Sequence, residues 1–177
     1  MGLTEIQTAL ARLYTDTEAR SEFFADRSAF AVRFGLSQEE TEALADSAGV
    51  EIERFAGSLL RKRFNEATRS VPLARRVLGQ KLFGVFERYT AETGAAATRN
   101  PALDGLSFNR WLLTNSLVPL TAANKDLLRY EVAWLTMQHS SRRFLIRLLH
   151  LPGCSPFHRS LLIWFRWRNH LHHWHGP

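Results

Sequence analysis

Apolar residues recur along this chain with two different periods. Up to Gln138 the spacing is three and four, and after Arg143 it becomes two. The first regime predicts helices, the second strands. Leu3, Ile6, Leu10 and Leu13 share one face of a helix over 4–14, opened by a Thr4/Gln7 capping box. Asp16 or Thr17 can cap a second short helix whose core residues are Phe23 and Phe24. Ser28 starts a third, stopped at Gly35, where a positive φ suits a helix end. Ser37 and Glu40 make another capping box before a helix over 38–47, and Gly49 breaks the chain again. Ile52, Phe55, Ala56, Leu59 and Leu60 mark a helix to Asn65, with Arg61, Lys62 and Arg63 complementing its dipole near the end. Pro72 fits a first helical turn, and Val77, Leu78, Leu82, Val85, Phe86 and Tyr89 predict the longest amphipathic helix, reaching Thr93. The small, polar segment 94–103 reads as a linker. Ser107 is the expected cap of a helix carrying Phe108, Trp111, Leu112 and Leu113. Thr121 opens a helix over 122–138 that is apolar on nearly every side and so expected to be buried.

The period then changes. Arg143, Leu145, Arg147 and Leu149 alternate with Phe144, Ile146, Leu148 and His150. In the next run Leu161, Ile163, Phe165 and Trp167 share one face, and Leu162, Trp164, Arg166, Arg168 and His170 the other. Phe, Trp and Ile favour strands, and Pro152 and Pro156 bracket a turn at 151–156. The expected fold is mainly α, about seven helices, with a C-terminal antiparallel β-hairpin of 144–149 and 160–174, α+β overall. The expected division is a helical domain over 1–93 and a C-terminal domain over 94–177.

Charge sharpens this picture. The chain has 177 residues and a net charge of +6; all seventeen Asp and Glu lie at or before Glu131, offset there by seventeen of the 23 Lys and Arg. The excess is Arg142, Arg143, Arg147, Arg159, Arg166 and Arg168, the side chain whose planar fork suits carboxylates and phosphates. Such a strip attracts an anionic partner: nucleic acid, acidic peptide, acidic protein face or anionic lipid. No apolar run approaches the roughly 20 residues that span a bilayer. Residues 1–13 lack the regions of a secretory signal, and the single Cys154 has no internal disulfide partner, so a cytoplasmic location is expected.

Three constellations bear on chemistry. His170 and His172, with His173 and His175, alternate as a metal site requires, but no nearby acid or cysteine completes a shell. They read as a solvated, partly protonated extension of the basic strip. Cys154, Ser155 and Ser160, with His150 or His158, are the candidate nucleophiles and bases, yet an orienting acid, an oxyanion hole and any nucleophile-elbow or phosphate-loop motif are missing. No catalytic residue, metal ligand or cofactor is assigned. Glu131 sits on the buried helix and needs a partner: Arg129, Arg110, a hairpin arginine, or a contact in another subunit.

The hairpin is the strongest signal. Either it closes the core with its arginines in water, or its edge takes an extended peptide as an added strand, the arginines favouring an acidic one. The two readings are compatible. The candidate peptide-binding residues are Leu145, Arg147, Leu161, Ile163, Phe165, Arg166, Trp167 and Arg168. The alternative is a basic nucleic-acid-binding protein, from the pI near 10.2 and the interleaved Arg and Trp, although the helical body is neutral overall.

Leu13-Tyr14-Thr15-Asp16, Phe23-Phe24-Ala25-Asp26 and Phe34-Gly35-Leu36-Ser37 form an N-terminal pattern. Phe55-Ala56, Ser58-Leu59, Arg61-Lys62-Arg63 and the helix Leu128-Arg129-Tyr130-Glu131-Val132-Ala133-Trp134-Leu135 continue it. Together they resemble the non-catalytic partner subunits of multinuclear non-heme iron oxidases in ribosomal-peptide natural-product pathways. The resemblance is to the TglI-type partners of 3-thiaglutamate biosynthesis, with the methanobactin partner MbnC a more distant analogue. It implies a heterodimer with a TIM-barrel iron enzyme that holds all the metal ligands. It also implies that this subunit binds the leader of a precursor peptide while the enzyme excises the β-carbon of the peptide's C-terminal cysteine. A full recognition element of that kind has three strands and three helices; the sequence yields two strands.

Overall fold

The computed structural model describes residues 3–46, 49–94, 99–116, 118–150, 160–168 and 170–176. The chain forms two compact units, discontinuous in sequence, whereas the sequence reading placed a single cut after Thr93. One unit comprises Met1–Phe64 and Thr90–Ala96, the other Asn65–Tyr89 and Ala97–Pro177.

The first unit is built from α1 (Leu3–Thr15), α2 (Thr17–Ala25), α3 (Arg27–Phe34), α4 (Gln38–Asp46) and the first part of α5 (Gly49–Arg69). Its caps are largely those the sequence encodes. Asp16 accepts from the N–H groups of Glu18 and Ala19, and the Ser37/Glu40 box closes reciprocally at 2.7 and 3.1 Å. Gly35 ends α3 with φ 68°, a conformation a side chain disfavours. Asp26, not Ser28, caps α3. The core is Leu13, Phe23, Phe30, Leu36, Leu44 and Ile52, with the Phe23 and Phe30 rings packed edge-on.

The second unit contains α6 (Pro72–Leu78), a 3-10 turn at Gly79–Lys81, α7 (Leu82–Thr93) to Tyr89, α8 (Pro101–Thr114), α9 (Ala122–His139) and three strands. The single helix expected over 72–93 is two helices, because Gly79 leaves α6 with φ 53° and ψ −128°. Helix α8 begins at Pro101 behind an Asn100 cap, so the expected linker is shorter and Ser107 lies inside the helix. Gly105 lets α8 approach the end of α5. A Cβ there would stand 2.4 Å from Ser70 Oγ and 2.6 Å from the Ala67 carbonyl. Phe86, Tyr89, Phe108 and Trp111 form an aromatic cluster beneath it.

Strands β1 (Phe144–Leu149), β2 (Ser160–Trp167) and β3 (His170–Gly176) form one antiparallel sheet in that order. The fold class is therefore mainly α with a C-terminal antiparallel sheet, but the hairpin gains a third strand. The run read as continuous from 160 to 174 turns back after Trp167, which pairs with His170, and Arg168 in the two-residue connection takes φ 45°. No helix of the described residues is long and apolar enough to cross a membrane.

Candidate functional site

The sheet lies on α9, and alternation divides its side chains cleanly. Leu145, Leu149, Leu162 and Trp164 point inward and are buried against Ala133 and Met137, with Tyr130, Trp134 and Leu171 around them. His173 joins this layer, its ring 5.2 Å from Trp164 and 5.6 Å from Tyr130. Burial, and secondarily the His175 ring beside it, lowers the His173 pKa, so the side chain is neutral where a free histidine still holds part of its charge. Its Nε2 and the Trp164 indole nitrogen are buried without a hydrogen-bond partner among the described residues.

Two polar clips fix the sheet to the helix at opposite ends. Near the start of α9, Asp126 accepts from the His150 backbone N–H at 2.9 Å, lies 3.3 Å from His150 Nδ1, and accepts from Arg129 at 2.7 Å. Burial alone pushes the Asp126 carboxyl up, but these bonds outweigh it and hold the group below its ordinary value. At the other end, Arg166 donates to the Met137 carbonyl at the last turn of α9, where a cation also complements the helix dipole.

Glu131 behaves differently from the expected ion pair. Arg129 is engaged by Asp126, Arg110 donates to Thr136, and Arg166 caps α9. Glu131 instead accepts from the Leu73 and Ala74 N–H groups at 2.7 and 3.0 Å and from Asn109 Nδ2 at 2.7 Å. It serves as the N-terminal cap of α6, where Val71 offers no side-chain acceptor. Burial raises its pKa, against the pull of these three bonds.

The outer face has no such cover. Phe144 stands opposite Phe165, Ile146 opposite Ile163, Leu148 opposite Leu161, and Ile163 opposite Trp174. Phe144, Ile146, Leu148, Phe165, Trp167 and Trp174 are all exposed, and the Phe165 and His172 rings stack at 5.0 Å.

The two edges are unequal. The Arg166 N–H donates to the Arg143 carbonyl at 2.8 Å, which sets the ladder. By antiparallel alternation, the backbone groups of Phe144, Ile146 and Leu148 turn outward on β1, and those of Leu171, His173 and His175 turn outward on β3. On β1, Arg147 Nη1 bonds the Ile146 carbonyl at 2.9 Å and partly occupies that edge. Beyond β3 no further strand lies among the described residues.

The eight sequence-chosen binding residues therefore do not share a surface. Leu161, Ile163, Phe165 and Trp167 belong to the outer face. Leu145 is core, Arg147 lies over the β1 edge, Arg166 is spent on α9, and Arg168 occupies the β2–β3 turn. Phe144, Ile146, Leu148, His172 and Trp174 complete the face and were not among them. The four C-terminal histidines lie on a strand rather than a tail and split between faces; His170, His172 and His175 are exposed, as expected, and His173 is half-buried. No group of three or more His, Cys, Asp or Glu able to hold a metal occurs among the described residues. Ser160 is buried at the start of β2, and Asp126 supplies the acid beside His150 that the local sequence lacks. Cys154, Ser155, His158 and the 151–156 turn lie outside the described residues. No family model, no curated protein and no solved structure matches this chain.

Proposed function

We propose that this chain is a non-catalytic partner subunit that binds the leader of a precursor peptide along β3. It presents that peptide to a TIM-barrel multinuclear non-heme iron enzyme of ribosomal-peptide natural-product biosynthesis, in the cytoplasm. The reaction at the partner is the excision of a cysteine β-carbon. The observation that carries the reading is the β3 edge, which no further strand covers among the described residues and along which the N–H and C=O groups of Leu171, His173 and His175 turn outward, on a sheet clipped to α9. An extended peptide gains affinity there from backbone bonds, and pre-ordering of the receiving strand limits the entropy lost on docking. Three strands lie among the described residues, the number a leader-recognition element of that kind has. No Asp or Glu follows Glu131, so an acidic peptide meets no repulsion from the sheet.

The test is purification of the tagged chain from its native cells, with mass spectrometry of what accompanies it. A barrel iron enzyme and a short cysteine-containing peptide are expected. His175→Pro removes one outward N–H and leaves the β2–β3 ladder intact, since an edge strand tolerates proline there. It is expected to release the peptide. Recovery of nucleic acid alone, in an association that weakens steeply with salt, would replace this reading with nucleic-acid binding.

A further inference from the structure

We infer that the outer face of the sheet is the docking surface for the partner enzyme, so that enzyme and peptide meet the same sheet from different directions. This inference rests on the adaptor reading above and names the place on this chain where its protein partner sits. Phe144, Leu148 and Trp167 are 55, 57 and 65% exposed, and Ile146, Phe165 and Trp174 lie beside them. At about 200 Å² per large side chain, these six leave about 600 Å² of contiguous apolar surface. That matches the upper end of the largest patch on an ordinary monomer, about 600 Å², and approaches the roughly 800 Å² per partner of a standard protein interface.

Chemistry selects the occupant. Among the described residues the face proper carries no arginine: Arg147 and Arg166 project from the opposite side of their strands, and Arg142, Arg143 and Arg168 sit at the end of the sheet nearest the β2–β3 turn. Phe144, Phe165, Trp167 and Trp174 can stack bases, but a single-stranded nucleic acid also needs cations tracking its phosphates across that platform, and the described arginines stand only at one end of it. A second copy would bring only histidines and arginines to meet this basic margin, because the sheet contains no acid. The fitting partner is a protein surface, apolar at its centre and acidic where it meets Arg142, Arg143 and Arg168.

Three forms of the full chain test this when purified from native cells. One is a face variant, Phe144→Ser with Leu148→Ser and Trp167→Ser. The second is a margin variant, Arg142→Glu with Arg143→Glu, whose exposed side chains leave the fold untouched. The third is the edge variant His175→Pro. The face variant is expected to lose the iron enzyme at least about tenfold and to keep the peptide. The margin variant is expected to weaken the enzyme less, with a flatter salt dependence. The edge variant is expected to keep the enzyme and lose the peptide. Enzyme retained by both the face and margin variants overturns the assignment of the face while the adaptor reading stands. A wild-type chain that recovers no iron enzyme overturns both. Sedimentation that shows a wild-type dimer abolished by the face variant, or binding of phosphatidylserine vesicles or of an oligonucleotide that the face variant alone loses, overturns the protein-partner assignment as well.

Discussion

The two faces of the C-terminal sheet are made by the same strands and each carries a run of apolar side chains, yet they do different work. On the inner face Leu145, Leu149, Leu162 and Trp164 disappear against α9, and both ends are held by Asp126 and Arg166. On the outer face Phe144, Leu148, Trp167 and Trp174 bury little. The difference lies in cover: the inner face, which also holds Arg147, Ser160 and Arg166, is closed by α9, whereas the more apolar outer face stays exposed. Apolar side chains that contribute little to the stability of the chain by itself, arranged contiguously across three strands, mark a surface that another molecule completes. The charged groups follow the same division: Asp126 and Arg166 are engaged between α9 and the sheet, while Arg142, Arg143 and Arg168 lie exposed at the turn end.

Substitutions can break or sharpen this contrast. The largest expected effect is at the inner face, where Trp164→Ala removes a fully buried indole and should cost about 3–5 kcal/mol in chemical denaturation. Glu131→Ala comes next. It strands the Leu73 and Ala74 N–H groups and Asn109, and a loss of about 2–4 kcal/mol is expected from the desolvation of unpaired donors. Because burial raises the Glu131 pKa above its ordinary value of 4.5, the folded state holds this proton more tightly than the unfolded one. Its contribution therefore falls as pH rises from about 4.5 through the raised folded value, and Glu131→Gln should flatten that part of the stability profile. Asp126→Ala is expected to cost about 1–2 kcal/mol at neutral pH by freeing the His150 N–H. Its folded pKa lies below 3.8, so the Asp126 contribution is full above that pH and lost as pH falls through the lower folded value; the variant should unfold with less acid dependence there. Smallest of all, Phe144→Ser or Leu148→Ser should change stability by no more than about 0.5 kcal/mol. A loss above 2 kcal/mol at either position would mean that the outer face is part of the core of this chain, and the contrast would fail.

The features legible in the sequence were those with local causes. Helix caps at Asp16, Ser37, Thr121 and Gly35 rest on residues within a few positions of each other, and the period-two alternation after Arg143 marks strands by itself. What escaped depended on distant pairing. The partner of Glu131 is a helix start 58 residues away, chosen because Val71 cannot cap, and no local pattern reports it. The acid beside His150 lies 24 residues upstream. The third strand was hidden because a two-residue turn at Arg168, without glycine, gives little of the usual hairpin signal, although the alternation of Leu171, His173 and His175 against His172 and Trp174 continues through it. The binding set mixed both faces for a separate reason: the β1–β2 register, which the sequence does not show, places Phe144, not Leu145, beside Phe165.

The central claim is that an extended peptide joins this chain at β3. Amide hydrogen exchange at Leu171, His173 and His175, followed with and without the co-purified precursor peptide, tests it most directly. Those outward amides should exchange readily in the free chain and slow by roughly tenfold or more in the complex, while the outward amides of β1 stay unchanged. Exchange at the three β3 positions that is the same in the presence of bound peptide would contradict the account.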